Sequence, residues 1–331
     1  MSEPAPVAAL PLAAAPMAGL THSAFRRVVS AFGGCDLLYT EMLAGAALLQ
    51  ETPDSPYLKQ RPGDAPAIFQ LLLRDERRIE AIVARLHPCH PAGLDLNCAC
   101  PNNRIRQAGG GASLLEDPER LRAILCGLRQ AWGGRLSVKL RLGPSPVPRW
   151  RENFQDRLRL IEDCGVDAIS INPRFAEDRH ARAARHDLLP WICALTRLPV
   201  TANGDILGPE TIARNPANFA ACAGLMLGRI AIVRPWTFAA WRAVRPLPAP
   251  RELALQTWQS LAAGILEDFP PEKALEKLKL FAVWFSRNYA FGHTFYTAVR
   301  NAPDWTTLHA RAEAFFAANP EVVLQPSLVD Y

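Results

Sequence analysis

The sequence predicts an α/β protein, a (β/α)8 TIM barrel followed by a small all-helical C-terminal domain. Three observations carry this prediction. Eight short apolar runs recur through the first two-thirds of the chain, and amphipathic segments separate them. The alternation stops near Arg245, beyond which only helical periodicity remains. A strand-then-helix alternation of this count is what an eightfold parallel barrel requires.

The strand candidates, in order, are Val7 to Leu12, Leu37 to Thr40, Ala67 to Leu72, Leu94 to Asn97, Leu136 to Leu142, Ala168 to Asn172, Val200 to Asn203 and Gly224 to Gly228. They are dense in Leu, Ile, Val and Ala with little alternation, as strands covered on both faces are. The helical candidates between them include Asp75 to Leu86, Pro118 to Trp132 and Gln155 to Cys164. A doubly wound sheet is the runner-up, and the missing glycine fingerprint after the first strand disfavours it. The stretch RPLPAPRE is proline-rich and reads as a linker. The expected division is therefore a barrel over residues 1–243, a linker over 244–250 and a helical domain over 251–331. Leu253 to Phe316 carries the helical periodicity, and the tail after Ala318 shows no pattern and is expected to be loosely held.

At 331 residues the chain suits one large domain or a large and a small one. A net charge of +5, spread along the chain, permits an anionic partner without demanding one. Eight scattered cysteines with no secretory signal read as reduced thiols, so a cytoplasmic location is expected. The apolar N-terminus lacks a basic region and is broken by prolines, so it reads as the entry to a strand. No apolar run is long enough to span a bilayer. The helical segment shows no self-complementary apolar stripe, so a monomer is expected.

In a barrel the chemistry lies at the carboxyl ends of the strands. There the sequence offers PMAG, Glu41, Gln70, Asn97 with Cys98 and Cys100, Lys139 with Arg141, Asn172 with Arg174, the ANGD of Asn203, Gly204 and Asp205, and Gly228 with Arg229. Glycines after the seventh and eighth strands occupy the usual barrel phosphate site, and Arg229 adds a charge; tight turns are the plainer explanation. Lys139 lies mid-strand, where a lysine is costly unless it meets an anion or reaches solvent. The cysteines of LDLNCACPNN raise four options: a disulfide, half a metal site, core filler or a catalytic acid. Their i, i+2 spacing gives poor bridge geometry. His87, Cys89 and His90 are too loosely patterned to complete a metal site.

APMAGLTHSAFR, TEM, LNCACPNNRIRQAGGGASLLEDPE, VKLRLG, ANGD and MLGR, in this order from about Pro11 to Pro235, resemble the successive motifs of the tRNA-dihydrouridine synthases. The family also has a helical C-terminal domain. The resemblance implies FMN at the barrel mouth, with Pro16, Met17 and Ala18 at the flavin ring and Gln70 and Lys139 on its polar side. It implies Asn172, Asn203, Gly204, Asp205, Gly228 and Arg229 around the phosphate. NADPH would reduce the flavin, hydride would pass to carbon 6 of a uracil in tRNA, and Cys100, directly before the proline, would give carbon 5 its proton. A thiol with an ordinary pKa of about 8.5 is mostly protonated at neutral pH, which suits that task. Cys98 is left to pack.

On the substrate side stand Asn97, Glu41, Arg141, Arg174 and Lys279, with turn capping as the other use of Asn97. Arg104, Arg106, Lys273, Lys277, Arg287 and Arg300 offer a basic surface for tRNA, each also readable as ordinary solvated charge. The loop AGGGAS is expected to let backbone pass close to Cys100.

Three departures from the family pattern stand out. Asn172, Pro173 and Arg174 replace the usual His–Gly–Arg, His180 stands where a tyrosine is common, and LLLRDE follows Gln70 without the usual glycine. They motivate an alternative in which the same chemistry acts on ribosomal RNA or a small heterocycle. A non-catalytic RNA-binding relative is a third reading, which the intact Cys100 and Lys139 oppose. The stretch GPSPVPRWREN reads as a loop whose Arg149, Trp150 and Arg151 either touch RNA or are merely solvated.

Overall fold

In the computed structural model, residues 9–179, 181–242 and 247–328 are described; Val7, Ala8, His180 and residues 243–246 of the expected barrel end and linker lie outside them. Nine strands form the sheet: β1 (Leu12–Ala14), β2 (Leu37–Tyr39), β3 (Leu43–Ala44), β4 (Ala67–Leu72), β5 (Gly93–Cys98), β6 (Leu136–Gly143), β7 (Ala168–Phe175), β8 (Val200–Asn203) and β9 (Gly224–Leu227). All pairings are parallel, in the order β2-β1-β9-β8-β7-β6-β5-β4-β3. A further pairing of β2 with β4 closes eight of them into a barrel and leaves β3 as a short extension beside β4.

Strand β6 shows how the barrel is built. Leu136, Val138, Leu140 and Leu142 join the apolar shell beneath the outer helices, while Ser137, Lys139 and Arg141 alternate with them. Period-2 alternation puts this second set inside the barrel. The same rule separates Phe69 and Leu71 from Gln70, and Leu94, Leu96 and Cys98 from Asp95 and Asn97. The expectation of little alternation is thus corrected: inside the barrel a small apolar cluster of Ala13, Ala15, Tyr39, Ile68 and Met226 lies beside the inward polar groups.

The first strand is also corrected. It runs over Leu12–Ala14 instead of Val7 to Leu12, because the paired stretch is bounded by Pro11 and Pro16, which have no N–H to give a ladder. The outer layer holds α1 (Ser23–Phe32), α2 (Gly45–Leu48), α3 (Ile79–Leu86), α4 (Asn103–Gln107), α5 (Pro118–Ala131), α6 (Trp150–Asp163), α7 (Leu189–Leu195), α8 (Pro209–Arg214), α9 (Arg229–Val233) and α10 (Thr237–Arg242). Helix α6 takes up the last four residues of the expected GPSPVPRWREN loop. The Trp150 ring packs edge-on against Phe175 (5.2 Å) and Trp191 (5.6 Å), with the Arg151 guanidinium 4.8 Å above it. That tryptophan is a packing residue.

Four further helices follow: α11 (Pro250–Asp268), α12 (Pro271–Phe285), α13 (Gly292–Arg300) and α14 (Trp305–Ala317). Proline at the first position fixes φ where no N–H is needed, so Pro250, expected in the linker, opens α11 instead. Trp258, Phe281, Phe285 and Phe295 form the aromatic centre of this region. Helix α11 lies on α1. At that joint the buried Asp268 carboxylate takes Arg61 at 2.5 Å, Lys59 at 3.4 Å and the Ser23 hydroxyl.

The described part of the tail, residues 319–328, is held, against expectation. The Val323 N–H donates to the Asn288 carbonyl (2.8 Å), Arg234 to the carbonyls of Val323 and Leu324, and Arg229 to that of Leu328 (2.5 Å). Backbone carbonyls satisfied by half-buried arginines carry no sequence pattern, which is why this segment looks featureless.

Candidate active site

The carboxyl ends of the strands open into a cavity with about 920 Å³ of empty space, part of it continuous with solvent. Of the residues singled out in the sequence, Met17, Asn97, Cys100, Lys139, Arg141, Asn172 and Arg174 line it. So do Asn203, Gly204, Asp205, Gly228 and Arg229.

At one end the chain turns sharply after β5. The Asn97 side-chain oxygen accepts from the Ala99 N–H (3.1 Å) and the Cys100 N–H (3.0 Å). Arg141 clamps the same turn by donating to the Ala99 carbonyl at 2.9 Å, and reaches the Phe175 and Arg179 carbonyls at 3.0 Å. The Ala112 N–H donates to the Cys100 carbonyl at 3.1 Å. Gly111 has φ +62°, and a Cβ there would lie 2.9 Å from that carbonyl oxygen. The AGGGAS loop therefore passes close to Cys100, as expected. The result is a half-buried Cys100 at the cavity wall. Cys98 points the other way, into the apolar shell, where burial pushes its thiol well up.

Lys139 faces the cavity from mid-barrel and is 8% exposed. Among the described residues its ammonium has no hydrogen-bond partner and no carboxylate within ion-pair distance. Burial, with help from neighbouring Arg141, lowers its pKa from 10.5 to about 8, although Asp95 pulls the other way.

The opposite end is a cluster of opposed charges. Asp205 accepts from Arg229 at 2.8 Å and also pairs with Arg174. Burial would raise the Asp205 carboxyl, but the Arg174 and Ala184 hydrogen bonds and the two guanidiniums outweigh it and hold it low. Two guanidiniums against one carboxylate leave one positive charge. Gly204 (φ +100°) sits so tightly that a Cβ would come within 2.6 Å of the Asn172 oxygen. The Asn203 amide donates to the Met226 carbonyl at 2.8 Å and ties β8 to β9.

Other expected residues lie elsewhere. Gln70 is 0% exposed, behind Asn97, and Pro16 and Ala18 flank Met17 without lining the cavity. Glu41 accepts from the Gly19 N–H at 2.7 Å and lies 3.8 Å from Lys277, beneath the helical region. The Lys279 ammonium donates to the Ala302 carbonyl at 2.5 Å, joining α12 to the end of α13. Among the basic candidates, Arg106 pairs with Glu116 (2.9 Å) and Lys273 with Glu276 (3.0 Å). Sequence reasoning missed Trp284 and Leu328, which wall the cavity from the C-terminal region. It also missed His186, whose Nε2 lies 2.7 Å from the Gly204 carbonyl, and Asp95 inside the barrel. For Asp95 the signal was present, since an acid between leucines in LDLN sits at an inward position.

The donor set fits a flavin mononucleotide: an unpaired, buried ammonium for an anionic ring, and a net positive arginine cluster with close-passing backbone for a phosphate. A sequence model of the family described as dihydrouridine synthase (Dus) matches residues 13–295. tRNA-dihydrouridine synthase B of Salmonella typhimurium (strain LT2) is 31% identical over 229 residues, covering 69% of this chain and 70% of that protein. The same enzyme of Escherichia coli (strain K12) is 31% identical over 230 residues, with 69% and 70% covered. Among solved structures, a 2-naphthoyl-CoA reductase complex superposes with a TM-score of 0.55 at 12% identity, over 71% of this chain and 50% of that one. Histamine dehydrogenase from Rhizobium sp. 4-9 superposes with a TM-score of 0.53 at 14% identity, over 75% and 48%. The chain spans about half the length of each of these two, and they share its fold.

Proposed function

Because the chain belongs to the dihydrouridine synthase family, we propose that it reduces uridine in tRNA to 5,6-dihydrouridine, with FMN as cofactor, NADPH as reductant and Cys100 as proton donor. Membership makes it an oxidoreductase acting on tRNA uridines. The observation that carries the finer reading is the pairing, in one cavity, of the Cys100 thiol with the unpaired Lys139 ammonium.

FMN, when bound, supplies a hydride acceptor for NADPH and a hydride donor for carbon 6 of the uracil. Lys139 and Met17 would hold its ring, and Arg229, Gly228, Gly204, Asn203 and Asn172 its phosphate end, with Asp205 and Arg174 fixing Arg229. Cys100 holds the proton that carbon 5 takes up. Its turn is fixed by Asn97 and Arg141, so the thiol needs no rearrangement to meet a base in the cavity. Gln70 acts behind Asn97 and not on the ring itself. The uracil must leave the RNA stack to reach this depth. Arg104 and the helical region, residues 251–331, offer the surface for the rest of the tRNA. The enzyme works as a cytoplasmic monomer.

Nucleoside mass spectrometry of tRNA from cells lacking the gene, complemented by wild type or Cys100→Ala, tests this. Dihydrouridine restored at one position by wild type alone supports it. An unchanged tRNA profile from a flavin-bearing protein moves the substrate to ribosomal RNA or a small heterocycle.

A further inference from the structure

Inside the barrel, below the cavity, four side chains form a single hydrogen-bonded file. The Asp95 carboxylate accepts from the Ser137 hydroxyl at 2.7 Å and from the Gln70 amide nitrogen at 2.7 Å. The Gln70 oxygen accepts from the Asn97 amide nitrogen at 2.8 Å. The Asn97 oxygen accepts from the N–H groups of Ala99 and Cys100. Strand register makes the file: Gln70 is level with Asp95, Asp95 with Ser137, and Asn97 with Lys139. Gln70 and Asp95 are 0% exposed, so water cannot substitute at the link between them.

A carboxamide can point either way, and its two ends differ only in whether they give or take a proton. An ionised carboxylate can only accept. We propose that Asp95 is a positioning residue for the proton-donating turn: as the acceptor at the base of the file, it sets the direction of Gln70, and through Gln70 that of Asn97, so that an oxygen faces the Cys100 backbone. Were both amides reversed, the Asn97 NH2 would face the two N–H groups it now receives, and two buried donors would lose their acceptor. The Asp95 carboxyl, raised by burial from 3.8 to about 6, is still ionised at neutral pH. The charges around it are Lys139 and Arg135, which favour its ionised form, and Tyr39, whose phenol it pushes up. The file also explains why Gln70, an attractive flavin ligand in the sequence, is turned inward.

The proposal rests on Cys100 serving uridine reduction, and a charge swap along the file tests it. In Asn97→Asp, carboxylates at both ends demand the single Gln70 NH2. In the double variant Asp95→Asn with Asn97→Asp, the direction is simply reversed. The amide now at position 95 gives to Gln70, and Gln70 gives to the carboxylate now at position 97. That carboxylate still accepts from the turn. In single-turnover reduction of tRNA uridine by the pre-reduced holoenzyme, Asn97→Asp is expected to lower the rate at saturating tRNA about 30-fold or more. Asp95→Asn is expected to lower it about threefold, and the double variant to recover to within about fivefold of Asp95→Asn. A double variant no faster than Asn97→Asp overturns the proposal. Repeating the swap on a Gln70→Met chain separates transmission through the amide from direct repulsion between residues 95 and 97. Rescue that survives there also overturns it. The same four proteins are melted without substrate: Asp95→Asn is expected to raise Tm more in the Asn97→Asp background than in wild type, and additive Tm changes count against the file. A wild type that takes up FMN yet leaves uridine untouched sinks the uridine reading alone, since the melting cycle reports on the file regardless.

Discussion

Replacing Lys139 by methionine should make the flavin-free protein more stable and a worse flavoprotein. The ammonium is buried, unpaired within the described residues, and carries a pKa lowered from 10.5 to about 8 by burial first and Arg141 second. That difference corresponds to about 3 kcal/mol against the charged form at neutral pH. Methionine keeps the length and removes the charge. Asp95 loses an attractive neighbour in the exchange, which offsets part of the gain. The net expectation is about 1–3 kcal/mol, or about 2–5 °C in Tm for a chain of this size.

The pH dependence fixes the cause. Between about pH 8 and 10.5 the unfolded chain holds this proton and the folded one does not, so wild-type stability rises through that window relative to the variant. Below pH 8 the penalty is complete. The gap between the two proteins should therefore be widest at pH 7 and nearly closed only above about pH 10.5. Thermal melts of the flavin-free proteins across this range provide the assay. A variant less stable than wild type at pH 7, or a gap that ignores pH, would refute the reasoning. Saturating FMN should narrow or reverse the gap, because it binds the wild type more tightly.

Cys100→Ala should slow uridine reduction by about 10²–10⁴-fold, the usual span for a lost general acid, while flavin uptake and flavin reduction by NADPH stay intact in absorbance traces. Gly204→Ala, at φ +100° with Asn172 2.6 Å from the new Cβ, should cost about 1–3 kcal/mol in denaturant melts and weaken FMN binding. Gly33→Ala, at φ +84° in open space, should lose less stability and bind FMN as wild type does. Trp258→Ala, emptying the aromatic centre of the helical region, should lower stability by about 3–5 kcal/mol by the same melts.

The barrel was legible because its strands are short apolar runs at regular spacing. The position of β1 was not, because VAAL and LAAA are equally apolar and each is bounded by prolines. The site was legible wherever a polar residue interrupts an apolar strand: Lys139 in SVKLRLG and Asn97 in LDLNC both face the cavity. What the sequence hid was how those side chains are spent. Gln70 and Lys279 each read as ligand donors, yet their polar atoms go to carbonyls and side chains of this chain, while Arg141 spends Nε and Nη1 on carbonyls and still lines the cavity. A one-dimensional pattern shows that a polar residue is inward, and not which inward partner lies level with it across the strands. Trp284 and Leu328 were invisible for a related reason, since their place at the cavity depends on how the last helices fold back.

That return of the chain has a consequence for biosynthesis. Barrel closure needs nothing beyond β9, so a nascent chain can complete its sheet while the ribosome is still translating the helices. The cavity wall is different, because it includes Trp284 and Leu328, and Arg229 gains its carbonyl partner only from residue 328. The sheet can thus close before its pocket is complete. A product truncated in the last dozen residues would pass as a folded barrel while lacking one side of the place where its chemistry is done.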